Sequence, residues 1–149
     1  MEEKMRHRIL LYLGACLNFI IAAGHVAALF FLDAAFRYYG IDGIMDRIAA
    51  YGATLPYLIT VGLICAFVVC GLYALSAAGC IRKLPLLWTG VFFIATAYLL
   101  RAVWGLGSMA SNGVWDFKGL SAFAVSALVG LLYLVGGLKA YRRKTEPAS

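Results

Sequence analysis

The chain has 149 residues, 64% of them apolar and 13% charged, and a formal charge of +6. Soluble domains average about 25% charged and no more than about 50% apolar residues, so these proportions exclude an ordinary water-soluble domain. The basic residues form no array with aromatics of the kind that grips phosphates and stacks on bases, which excludes a nucleic-acid surface as partner.

Lys4, Arg6 and Arg8 precede a first apolar run, Ile9 to Leu32, that carries no Asp, Glu, Lys or Arg. A helix crosses about 30 Å of hydrocarbon with roughly 20 apolar residues. The run also exceeds the roughly 7–15 residues of a signal-peptide apolar region, so a retained first span over 9–32 is expected. Asp33 and Arg37 have the acid-first i,i+4 spacing that extends a helix, and Gly40 is a natural C-cap.

Residues 41–52 follow as a short amphipathic helix. Ile41, Ile44, Met45 and Ile48 fall on one face, with Asp42, Asp46 and Arg47 on the other. Asp42 is the expected N-cap and Gly52 the terminator. The expected placement is flat on the outer membrane surface; folding down as a lid over the bundle mouth is the alternative.

A second span over 56–79 opens on Pro56, whose missing N–H costs nothing in a first helical turn. Cys80 to Pro85 allows only a tight basic hairpin, so the third span, 85–105, runs back antiparallel beside the second. Leu106 to Lys118, with Gly107, Ser108, Ser111, Asn112 and Gly113, reads as an outer loop. The fourth span, 118–138, ends in a basic cytoplasmic tail over 140–149. These spans predict one membrane domain over residues 1–149, an all-α four-transmembrane-helix bundle of up-down-up-down order.

The charge distribution supplies orientation. Arg82, Lys83, Lys139, Arg142, Arg143 and Lys144 join the amino-terminal cations at one end, against Arg37, Arg47, Arg101 and Lys118 at the other. The positive-inside rule then puts both termini in the cytoplasm. Abundant Ala and Gly with short loops suits a bacterial inner (plasma) membrane. Membrane lipids are thus the first partners expected.

Cys16, Cys65, Cys70 and Cys80 have no disulfide or metal spacing and read as small packing residues. Ala122, Ser126 and Gly130 lie four apart on one helix face, where small residues let backbones approach closely. Their partner is another helix of the same chain or, in a homodimer or larger complex, of a second one.

Functional chemistry is a matter of depth. Arg8 to His25 and Leu84 to Arg101 each rise about 25 Å along a helix, which puts His25 and Arg101 at one level near the outer leaflet. Asn18 and His25 share a small, polar stripe with Gly14 and Ala22; Tyr98, Arg101 and Trp104 share another with Ala97 and Gly105. Charges in hydrocarbon are costly, so such stripes normally face the bundle interior. An outward-opening ligand pocket lined by His25, Asn18, Tyr98, Arg101 and Trp104, with Asp33 and Asp116 at its rim, is the functional expectation. Its ligand would be amphipathic and anionic or carbonyl-bearing, such as a lipid headgroup or a quinone. The plainer alternative has Arg101 reaching to the interface and His25 bonded between helices.

No cofactor is expected. His25 is the lone histidine within a span, so bis-histidine haem would require a symmetric dimer, and no carboxylate lies within a span to serve a metal or a hydrolytic reaction.

Arg8 entering the first span with Gly14 a turn and a half later resembles the opening of DoxX-like proteins, small four-helix bacterial membrane proteins. So does the Gly-rich second helix that runs into a basic hairpin (Gly71-Leu-Tyr … Gly79-Cys-Ile-Arg82). The resemblance implies a four-helix membrane bundle and, as in some members, a quinone-linked redox partner. It assigns no functional residue, and the 41–52 segment and Arg101 lie outside it. A non-enzymatic binding or transport role is the leading expectation, and an accessory subunit of a membrane complex the alternative.

Overall fold

The computed structural model describes residues 2–145. The side chains of Lys4, Arg6, His7 and Lys144, and residues 146–149 of the expected tail, lie outside the described residues. Every element is helical: α1 (Glu2–Ala28), a 3-10 turn (Leu29–Phe31), α2 (Leu32–Tyr39), α3 (Asp42–Ala49), α4 (Leu55–Ala77), α5 (Leu87–Asn112) and α6 (Phe117–Thr145). Four stretches, Arg8–Tyr39, Leu55–Ala77, Leu87–Asn112 and Phe117–Arg143, are long and apolar enough to cross a membrane.

The chain divides into two units, Met1–Leu17 with Cys70–Ser149, and Asn18–Val69. The first has a close-packed interior in which Leu11, Val91, Val129 and Tyr133 are fully buried. Glycines make that packing possible. A Cβ on Gly14 would lie 2.8 Å from Tyr133 Cε2, and one on Gly130 2.8 Å from Leu99 Cγ. Gly136 lies as tightly against Leu11, and Gly137 against Val91. The Tyr133 hydroxyl donates to the Cys70 carbonyl at 2.7 Å, tying α6 to α4.

The hairpin between α4 and α5 is built from backbone outwards. Gly79 adopts φ +80, and the N–H groups of Gly79 and Cys80 return to the Ser76 and Leu75 carbonyls, the paired bonds of a left-handed glycine terminus. Arg8 Nε donates to the Ala78 carbonyl at 2.9 Å, a cation at the negative helix end. The Ser76 hydroxyl donates to the Arg82 carbonyl and accepts the Leu84 N–H, both at 3.0 Å.

Helix α5 runs on to Asn112, past the expected boundary near residue 105. The turn-prone residues there bond inside the helix instead. Ser111 Oγ donates to the Ser108 carbonyl and Asn112 Nδ2 to Ser108 Oγ, and Gly113 closes the helix at φ +65. Helix α6 likewise continues to Thr145, through part of the expected tail.

In the second unit, residues 18–69, the terminus of α2 repeats the glycine motif. Gly40 has φ +68, and the N–H groups of Gly40 and Ile41 bond the Arg37 and Phe36 carbonyls. The reversal brings α3 back directly. Its N-cap position is Ile41, with no side-chain cap, and Asp42 sits in the first turn. Pro56 occupies the first turn of α4, as its geometry requires.

Candidate functional site

His25 lies in the last turn of α1. Its Nδ1 is 2.8 Å from the Ile21 carbonyl oxygen. A carbonyl can only accept, so Nδ1 carries the hydrogen and donates. The ring also packs on Phe67 of α4, with centroids 5.0 Å apart and planes inclined at 46°. Together these contacts set the ring's orientation. Nε2 is left to meet whatever approaches, and in the neutral imidazole it presents a lone pair.

Beside His25 is a cavity of about 340 Å³, near the lower end of the roughly 300–1,000 Å³ range of small-molecule sites. Helix α1 contributes Ile21, Gly24, His25 and Ala28; α2 contributes Leu32, Phe36 and Tyr39; α4 contributes Ile59, Thr60 and Leu63. Gly24 helps to make the room, since a Cβ there would meet nothing within 4 Å. Ile41 and Met45, two of the four apolar residues of the amphipathic segment, form part of the wall, while Ile44 is 53% exposed.

The walls are otherwise apolar, so few groups can orient a ligand. Thr60 is buried, and its Oγ1 donates to the Pro56 carbonyl at 2.9 Å, which leaves that oxygen only its lone pairs. Tyr39 adds a phenol. A shallower polar cleft shares Phe36 with the cavity and is lined by Asp33, Arg37, Asp42 and Asp46. Arg37 Nε donates to the Asp33 backbone carbonyl at 3.3 Å.

The remaining expected residues fall as follows. Asn18 is completely buried and is not among the cavity's lining residues. All of those come from the Asn18–Val69 unit, whereas Tyr98, Arg101 and Trp104 belong to the other. Tyr98 is buried, with its ring centroid 6.5 Å from that of Tyr133. Arg101 is exposed, and Trp104 is 81% exposed. Asp116 has a structural partner: its Oδ1 accepts the Gly119 N–H at 3.0 Å, the side-chain cap of α6. Ser126 and Gly130 are buried, with Gly130 against Leu99 of α5, and Ala122 is half-buried.

Thr60, Tyr39 and Met45 were missed by sequence reasoning. Thr60 alone left a signal, as the one Ser or Thr between Pro56 and Val69. Among the described residues, no group of three or more His, Cys, Asp or Glu is placed to hold a metal ion.

The chain matches no protein-family model, no curated protein and no solved structure.

Proposed function

We propose that the chain is a multi-pass protein of a bacterial inner membrane, and that the His25 cavity binds a small amphipathic molecule near the outer leaflet. Four helices of sufficient length and apolarity support the membrane setting. The tight α4–α5 hairpin favours an up-down order. Arg8, Arg82, Lys83, Arg142 and Arg143 at one end of the spans favour cytoplasmic termini. Exposed Arg101 and Trp104 suit an interfacial belt, the guanidinium reaching towards headgroups.

The observation that carries the binding reading is a fixed imidazole at the wall of a largely apolar cavity. Ionisable side chains within membrane helices normally mark function. Helix α3, with Ile41 and Met45 on the wall, acts in this reading as a cover over the cavity rather than as a flat surface anchor. An accessory-subunit role is less well supported, because the Ser126 and Gly130 face that would dock a partner packs within the chain.

Gly24→Leu tests the proposal, since Gly24 lines the cavity and a Cβ there would meet nothing within 4 Å. Wild type and variant are purified in a mild detergent, and their co-purified small molecules compared by mass spectrometry. An amphipath retained by wild type and lost from Gly24→Leu is expected. Identical inventories would sink the reading.

A further inference from the structure

We infer that the molecule held beside His25 carries an uncharged hydrogen-bond donor, an alcohol on a short apolar chain, rather than an anion or a carbonyl acceptor such as a quinone. The inference rests on the cavity being a binding site and concerns which end of a hydrogen bond its walls supply.

Two of the polar groups on the wall have already spent their hydrogens. His25 Nδ1–H goes to the Ile21 carbonyl and Thr60 Oγ1–H to the Pro56 carbonyl. With the imidazole neutral, what each can offer a guest is a lone pair, on Nε2 and on Oγ1. Tyr39 can either donate or accept, so it does not change the balance. A carbonyl guest would set oxygen lone pairs against those of Nε2 and Oγ1. An alcohol supplies the missing hydrogen.

Charge points the same way. The cleft that shares Phe36 with the cavity carries Asp33, Asp42 and Asp46 against Arg37. A carboxylate or phosphate entering past it meets an excess of negative charge. The rest of the wall, including Ile21, Leu63 and Met45, offers no polar side chain and suits an alkyl tail.

The experiment uses full-length protein in nanodiscs and a decanol analogue bearing a diazirine on its chain. Photolabelling is competed by 1-decanol, 1-methoxydecane and decanoate at equal mole fractions in the bilayer. Label should map to residues 18–69, and 1-decanol should compete about tenfold better than either rival, a difference of about 1.4 kcal/mol. His25→Leu should reduce that preference to about twofold or less, with Thr60→Val lowering it in the same direction. Equal competition by 1-methoxydecane, or stronger competition by decanoate, would overturn the donor inference. If Gly24→Leu still abolished labelling in that event, the cavity reading itself would survive. Labelling unchanged in Gly24→Leu would end both.

Discussion

The glycines pressed hardest against their neighbours all lie in one of the two units. Among residues 70–149 and 1–17, Gly14, Gly130, Gly136 and Gly137 lie under Tyr133, Leu99, Leu11 and Val91, so closely that a Cβ would strike each of them. Among residues 18–69, Gly24, Gly43 and Gly62 have nothing within 4 Å of a would-be Cβ. At those four positions the missing side chain lets helices meet; Gly105 and Gly107 of the same unit, like Gly24, face open space. A Gly-rich helix therefore does not by itself mean a tight one, and the cavity beside His25 lies in the unit without those tight glycine contacts.

A matched pair of substitutions would break or sharpen this contrast most strongly. Gly130→Leu drives a side chain into Leu99 and the α5 backbone and should cost about 1–3 kcal/mol through overpacking. Gly24→Leu, in open space, should leave stability unchanged or raise it by up to about 1 kcal/mol, because glycine is the poorer helix former. Unfolding of both variants by SDS titration in mixed micelles measures the difference. Equal losses would mean that the cavity side is as tightly filled as the other.

Ser76→Ala comes next. Ser76 is 3% exposed and its hydroxyl serves two backbone groups across the α4–α5 hairpin. Its removal leaves the Leu84 N–H and the Arg82 carbonyl without that partner, so about 1–3 kcal/mol should be lost. Ser121→Ala is the control, being an exposed hydroxyl bonded one turn back to the Lys118 carbonyl; it should change stability by less than about 0.5 kcal/mol.

The difference in packing also explains what could be read from the sequence. Four long apolar helices and the tight hairpin were legible, because span length and the Gly79–Pro85 break are properties of one segment at a time. The end of α5 was not, since Ser108, Ser111 and Asn112 have turn-forming chemistry that a helix can satisfy internally. His25 was legible as an ionisable group in an apolar run. A pocket beside it was expected, but not these walls, because Thr60 and Met45 come from other helices. Met45 fits a surface stripe and a cavity wall equally well by periodicity. Asp116, expected at a binding rim, also has a local role that the sequence did not single out, since its Oδ1 accepts the Gly119 N–H as the cap of α6.

Leu86 offers a gain rather than a loss. It holds φ +50 just before α5 and is 78% exposed. Left-handed backbone costs a non-glycine residue roughly 1–2 kcal/mol, against which an exposed leucine has little packing to set. Leu86→Gly should therefore stabilise the protein by about 1 kcal/mol in the same SDS titration. A loss of stability would mean that the leucine side chain anchors the hairpin in the bilayer.

Tyr133→Phe should cost less than Gly130→Leu or Ser76→Ala, and it tests whether the unit holding Tyr133 is kept together by shape or by polarity. The hydroxyl donates to a carbonyl of α4 at 2.7 Å, which makes the bond look indispensable. The Cys70 carbonyl, however, sits inside α4, where it is also the acceptor for the N–H four residues on. The ring keeps its place over Gly14 and beside Tyr98 without the oxygen. Interhelical hydrogen bonds in membrane proteins average about 0.6 kcal/mol for the same reason, since their partners have alternatives. A loss of that order, much smaller than for Gly130→Leu, would mean that glycine-to-ring fit holds the unit together. A loss as large as that for Gly130→Leu would put the hydrogen bond first and make the close glycine contacts its consequence.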